Sequence, residues 1–141
     1  MSPRAGTGHR ETAYALAMNQ VALAAASLAA VLHVGFFLLE SVLWTKPIGR
    51  KVFRTTEAEA ETVKFMAFNQ GFYNLFLAIG AGAGVALAAT GRAEIGRTAM
   101  AFACACMLGA SLVLATGGKK YVRGVVMQGV PPAVALVALF V

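Results

Sequence analysis

Charge is scarce in this sequence. Asp, Glu, Lys and Arg make up 13% of its 141 residues, about half the share of a soluble domain. So little polar surface cannot cover a compact body in water, and that excludes a soluble enzyme. A hydrophobic content of 59% excludes a disordered chain. Two cysteines are too few for a disulfide-rich secreted domain. Cys104 and Cys106 lie two apart in an apolar stretch, where a helix would turn them about 200° from each other. They cannot bridge and make a poor metal pair, so they read as small packing residues. The sequence also lacks a metal-ligand cluster, a glycine-rich phosphate loop and an activated serine or cysteine, which argues against redox, nucleotide and acyl-transfer chemistry. No cofactor is expected.

What is present is hydrophobic length. Four apolar stretches near 20 residues or longer occupy almost the whole chain and are split by short basic loops, the pattern of a small polytopic membrane protein. The net charge of +6 sits where membrane loops need it, and no aromatic-basic groove appears, so nucleic acid is not an expected partner. A polar tail over residues 1–12 precedes a single four-helix transmembrane domain over 13–141. The spacing predicts helices over about 13–44, 62–89, 97–116 and 121–141. The first is longer than a span needs and should tilt or project. Its hydrophobicity continues unbroken into Phe36-Phe37-Leu38-Leu39, so a cleaved signal peptide is not expected. Thr56 followed by Glu59 predicts a capping box in the first loop.

Orientation follows from the basic residues. The first and third loops, with the helix starts beside them, hold Lys46, Arg50, Lys51, Arg54, Lys64, Lys119, Lys120 and Arg123, against Arg4, Arg10, Arg92 and Arg97 on the other side. An all-α bundle with both termini on the outer side of the inner (plasma) membrane is the expected arrangement, with two basic loops in the cytoplasm.

The polar residues inside the spans converge in depth. His33 and Glu40 are seven apart, so on a regular helix they share a face, about 10 Å apart along the axis. Glu40 lies one turn inside Trp44, and His33 nearer the membrane centre. Asn69, Gln70, Tyr73 and Asn74 form a polar stripe about 100° wide on the second span. In the expected orientation Asn69 and Gln70 lie level with Glu40, and Asn74 nearer the level of His33. Gln128 reaches a similar depth on the fourth span. Pro131 and Pro132 free the carbonyls of Met127 and Gln128 beside it, and such groups must face protein or trapped water.

Each residue also has a plainer role. The amides and Tyr73 serve as interhelical glue in many membrane proteins, at about 0.6–2 kcal/mol each. Glu40 is shallow enough to pair with Arg50, Lys51 or Lys64, and His33 fits a neutral buried ring bonded to a carbonyl. Jointly, a carboxylic acid, an imidazole and a freed backbone at one level argue for a site, because an ionisable group in a span costs about 2.5–3.5 kcal/mol on insertion scales. Gly80 and Gly84 form a GxxxG that admits close approach of another helix. That helix belongs either to the same chain or to a second copy in a homo-oligomer.

Several spaced motifs agree in order with one family. The run Leu39-Glu40-Ser41-Val42-Leu43-Trp44-Thr45-Lys46-Pro47, then Gly49-Arg50-Lys51-Val52-Phe53, then Asn69-Gln70-Gly71-Phe72-Tyr73-Asn74-Leu75-Phe76-Leu77-Ala78, resembles the small bacterial membrane family catalogued as domain of unknown function 1304. Gln128-Gly129-Val130-Pro131 fits as well. The resemblance runs from about residue 22 to the end. It implies a four-helix membrane protein with its polar motif at Glu40, Asn69, Gln70 and Asn74, and it supplies no activity.

Three functions compete. The first is an intramembrane enzyme acting on a lipophilic small molecule by isomerisation, cyclisation or epoxide opening. There Glu40 is the general acid and His33 polarises or relays a proton. Asn69, Gln70, Tyr73, Asn74 and Gln128 orient the substrate, and Phe36, Phe37, Phe72 and Phe76 line an apolar pocket or simply pack. The second is a proton-coupled small-molecule transporter, similar in architecture to small multidrug exporters. Glu40's place near one end of its span and the one-sided loop charge count against it. The third is a structural or accessory subunit.

Overall fold

The computed structural model describes residues 5–141, with side chains from Asn19 onward. Arg4 and the side chains of Arg10 and Glu11, assigned above to the polar tail, lie outside the described residues. The first helix, α1, spans Ala5–Phe37, so residues 5–12 continue the helix that the sequence places from about residue 13. It passes directly into a π-helical turn, Leu38–Val42.

The expected first loop is not irregular. It folds into two short helices, α2 (Pro47–Phe53) and α3 (Glu57–Thr62). Pro47 occupies the first turn of α2, where its missing N–H has no helical partner to lose. Arg54 closes α2 in the left-handed region at φ 54°. The predicted capping box is present at α3: the Thr56 hydroxyl accepts from the Glu59 N–H, and the Glu59 carboxylate accepts from the Thr56 N–H at 2.8 Å. A break at Val63 separates this linker from α4 (Lys64–Ala89). Then follow α5 (Ala93–Ala115), a 3-10 turn at Lys119–Tyr121 and α6 (Val122–Phe140).

Four segments are long and apolar enough to cross a membrane: Asn19–Val42, Lys64–Ala89, Ala93–Ala115 and Lys119–Phe140. The protein is thus an all-α, multi-pass membrane protein. Its helices form a ring in which α1 packs against α4 and α6, α5 packs against the same two, and α1 and α5 stand diagonally opposite. The end of the ring carrying α2 and α3 is called the linker end below.

The centre is built from small side chains. Ala22, Ala26, Ala135 and Ala138 bring α1 and α6 together, with Met100, Cys104 and Leu139 completing that layer. Ala29, Ala81, Ala103 and Met107 form the next layer. Without a hydrophobic drive between helices in lipid, such small residues maximise van der Waals contact by letting backbones approach. Large apolar side chains point outward instead, among them Phe65, Phe76, Phe102 and Phe140. Cys104 is buried and Cys106 half-buried, both free. Away from the linker end, the Arg97 guanidinium donates to Asn19 Oδ1 of α1 at 3.2 Å and to the Leu139 carbonyl of α6.

Gly80 and Gly84 both face α5. A side-chain carbon at Gly84 would stand 2.7 Å from the Met100 nitrogen and 2.9 Å from the Gly96 oxygen, and one at Gly96 would stand 2.4 Å from the Ala88 nitrogen. Gly84 and Gly96 let these backbones touch, and this face of α4 is filled from within the chain.

Candidate functional site

The π turn is where polar chemistry gathers. Its defining bond runs from the Leu43 N–H to the Leu38 carbonyl, five residues back, at 2.8 Å. Such a turn inserts a residue into the helical register and often marks a functional position. Here it carries Glu40. One face of α4 holds the turn through three successive positions. The Ser41 hydroxyl donates to the Phe68 carbonyl at 2.9 Å. Gly71 follows, where a side-chain carbon would stand 2.1 Å from Ser41 Oγ and 3.2 Å from Glu40 Cβ. Asn74 completes the row, its Nδ2 donating to Glu40 Oε2 at 2.7 Å. The small-residue gap at Gly71 allows the other two contacts.

Glu40 is half-buried and Asn74 buried. Two of the three cations considered for Glu40 are engaged elsewhere: Arg50 pairs with Glu57 at 2.5 Å and Lys64 with Glu61 at 3.0 Å. Below Glu40, between the π turn and the start of α4, lies a cleft of about 470 Å³ lined by Glu40, Ser41, Trp44, Lys64, Phe65 and Phe68 among others. The Trp44 indole N–H donates to the Ala60 carbonyl at 2.8 Å, and its ring lies 4.9 Å from that of Phe53. These bonds fix the wall of the cleft to the linker helices.

Of the seven residues picked out in the spans, Glu40 and Asn74 alone touch through side-chain hydrogen bonds among the described residues. His33 is fully buried in the bundle. Its Nδ1 donates to the Ala29 carbonyl at 2.9 Å, its ring meets Phe36 edge-on at 5.4 Å, and its Nε2 has no partner among the described residues. The shared face expected of His33 and Glu40 presumes a regular helix, whereas Glu40 lies inside the π turn that follows α1 at Phe37. Asn69, Gln70 and Tyr73 do not join the site: Asn69 and Gln70 are exposed on the outer side of α4, and Tyr73 is 59% exposed there. Gln128 is half-buried on α6, and Pro131 and Pro132 behind it are buried. Phe37, Phe72 and Phe76 run as a series along α1 and α4, with centroids 5.2 and 6.2 Å apart. They pack against each other rather than lining the cleft.

The sequence left Ser41, Gly71, Glu61, Phe65 and Phe68 without a role, because the π turn and the folded linker that unite them carry no periodicity to read. Among the described residues no three His, Cys, Asp or Glu side chains come together as a metal-binding group.

The model of a family described as protein of unknown function (DUF1304) matches residues 27–140. The chain belongs to this family. The matched DUF1304 region takes in the π turn, the linker helices, the Gly71 contact and all of α4 to α6, so the cleft lies wholly within it. No curated protein and no solved structure matches the chain.

Proposed function

We propose that this protein binds a lipophilic small molecule with a polar end in the cleft at the linker end, and that Glu40 is the acid–base group acting on it. One observation carries the reading: a half-buried carboxyl has Oε2 held by Asn74 and Oε1 without a partner among the described residues, beside a cleft of about 470 Å³ with aromatic walls. Proton transfer needs a donor or acceptor atom at a fixed place, and the Asn74 amide fixes it. With Oε2 occupied, Oε1 is where a proton leaves or arrives. Carrying the proton, Glu40 is the general acid that isomerisation, cyclisation or epoxide opening requires. Lacking it, Glu40 is the matching base. The Asn74 N–H stabilises the charge left after transfer.

His33 is left out of this step, since one ring nitrogen is engaged by Ala29 and the other is enclosed by packing. The packing also favours a site over a transport path. Toward the other end the ring is filled by Ala29, Ala81, Ala103 and Met107, then by Ala22, Ala26, Met100 and Cys104. A carboxyl serving proton-coupled export must be reached from both ends in turn. The excess of Lys and Arg at the linker end supports the reading that this end, and the mouth of the cleft, faces the cytoplasm from an inner (plasma) membrane.

The test is Glu40→Gln, which keeps size and polarity and removes the ionisable proton. Protein purified in mild detergent from its own membranes is extracted and its small amphiphiles compared by mass spectrometry. Wild type is expected to carry or convert a component that Glu40→Gln does not, with equal helicity and thermal stability. If Glu40→Gln unfolds the bundle, Glu40 belongs to the helix–helix glue. If it drives the same proton flux as wild type in liposomes, transport through Glu40 is also excluded.

A further inference from the structure

The hydrogen-bonding capacity around the cleft is lopsided. Its wall contains five side chains with N–H or O–H groups: Ser41, Trp44, Thr45, Thr62 and Lys64. Four already donate within the protein, Lys64 through one of its three N–H groups. Ser41 donates to the Phe68 carbonyl, Trp44 to the Ala60 carbonyl, Thr62 to the Ala58 carbonyl and Lys64 to Glu61 Oε1. The Asn74 amide, behind the wall, donates to Glu40 Oε2. On the acceptor side, Glu40 Oε1 and Glu61 Oε2 have no partner among the described residues. The wall also carries two carboxyl groups against one ammonium, so with Glu40 ionised its charges leave a negative excess.

A ligand that arrives as an acceptor, such as a fatty acid or ketone, finds free donors only at Thr45 and at the remaining N–H groups of Lys64, whose charge Glu61 already pairs. An acid also meets a like charge where Glu40 is ionised. One that brings N–H groups and positive charge finds both needs met, and the faces of Trp44, Phe65 and Phe68 offer a quadrupole attractive to a cation. The cleft also lies beside the hydrocarbon. Phe65 and Phe68 are 77% and 46% exposed on the outside of α4, so an alkyl chain can run along them into lipid while its head stays at the level of Glu40.

Resting on the site proposed above, we infer that the polar end of the ligand is a protonated amine, and that the cleft selects lipophilic amines over alcohols and acids of the same chain length. Glu40 meets this ligand as the acceptor. When a proton moves, the N–H bond breaks toward Oε1, and the neutral amine and neutral carboxyl remain.

The experiment uses the full chain in phosphatidylcholine nanodiscs at neutral pH. Three photoreactive diazirine probes of equal length are used, built on dodecylamine, dodecanol and dodecanoic acid. Labelling is mapped by mass spectrometry. The amine probe is expected to label residues 40–45 and 61–68 about tenfold more than the other two, which corresponds to about 1.4 kcal/mol of discrimination. Glu40→Gln is expected to reduce it to the level of the alcohol. Unlabelled dodecylamine, and not dodecanoic acid, displaces the amine probe from wild type, a measurement that needs no variant to fold. Stronger labelling of the cleft by the alcohol or the acid, still dependent on Glu40, overturns the amine class and leaves the site standing. If no probe labels the cleft above the lipid-facing surface of α6, both the ligand class and the site fall.

Discussion

Gly71 decides how near α4 comes to the carboxyl-bearing turn. Any side chain there must displace Ser41 Oγ, which would lie 2.1 Å from the new carbon, and press on Glu40 Cβ at 3.2 Å. Both belong to a turn already fixed by the Ser41 and Asn74 bonds, so the strain cannot be relieved by a flexible side chain end. Gly71→Ala is expected to lower stability by about 1–3 kcal/mol, the usual range for overpacking, seen as a reduced melting temperature in detergent. Gly82 is the internal control. It sits on the same helix with nothing within 4 Å of an added carbon, and Gly82→Ala should be neutral or stabilising by up to about 1 kcal/mol. Equal losses at both positions would mean that the close approach at Gly71 does not limit the fold. Because Glu40 lies beside this close approach, Gly71→Ala should also weaken amine labelling of the cleft, whereas Gly82→Ala leaves it unchanged.

The linker shows what a single element can contribute and how it responds to pH. Glu59 in α3 is fully exposed, and its carboxyl lies below the ordinary value of 4.5 because it accepts hydrogen bonds from the Thr56 backbone and hydroxyl. A carboxyl lowered in the folded state contributes stability above its unfolded value, and that contribution is lost as pH falls through the folded value. Hydrogen exchange over residues 56–63, corrected for intrinsic rates, should therefore show constant protection at neutral pH and a loss beginning below roughly pH 4.5. Thr56→Val, which removes the hydroxyl half of the cap and keeps the backbone N–H that holds Glu59, should weaken that dependence without abolishing it. This capping box was legible in the sequence because Thr56 and Glu59 stand at the spacing the motif demands. The four spans were legible because an unbroken apolar run of about twenty residues matches the thickness of a bilayer and exceeds what a soluble helix can bury. The π turn was not. It is a shift of hydrogen-bond partners held by Phe68, Gly71 and Asn74 of the neighbouring α4, and nothing local in Leu38 to Val42 announces it. His33 and Glu40, read from the sequence on one regular helix, stand in different settings, His33 fully buried in α1 and Glu40 half-buried within the π turn. The polar stripe on α4 was only partly informative for a related reason. Its width of about 100° straddles the edge of the packed face, so Asn74 turns inward while Asn69 and Tyr73 turn out.

At the scale of the whole molecule, the ring of four helices closes through small residues and one cation. Gly84 and Gly96 bring α4 and α5 into backbone contact, alanines do the same for α1 and α6, and Arg97 ties α5 to both of those helices at the end away from the linker. This arrangement bears on how the protein associates. The GxxxG of Gly80 and Gly84 is equally suited to joining two copies, but here it faces Met100, Ala103 and Gly96 of the same chain. The two uses separate by mass action, since a contact between copies weakens on dilution and one inside the chain does not. Gly84→Ile is expected to destabilise the bundle to the same degree at every ratio of protein to detergent. Thermal unfolding over a hundredfold range of that ratio, with the mass of the complex measured alongside, provides the check. A loss that grows on dilution, together with a fall from dimer to monomer, would place the glycine face between copies and require α5 to move away from it. The cleft makes the same experiment informative about function. It lies at the other end of α4 from Gly84, so a variant that stays folded at low temperature should still bind the amine probe, and the packing of the bundle and the chemistry of its mouth can then be measured apart.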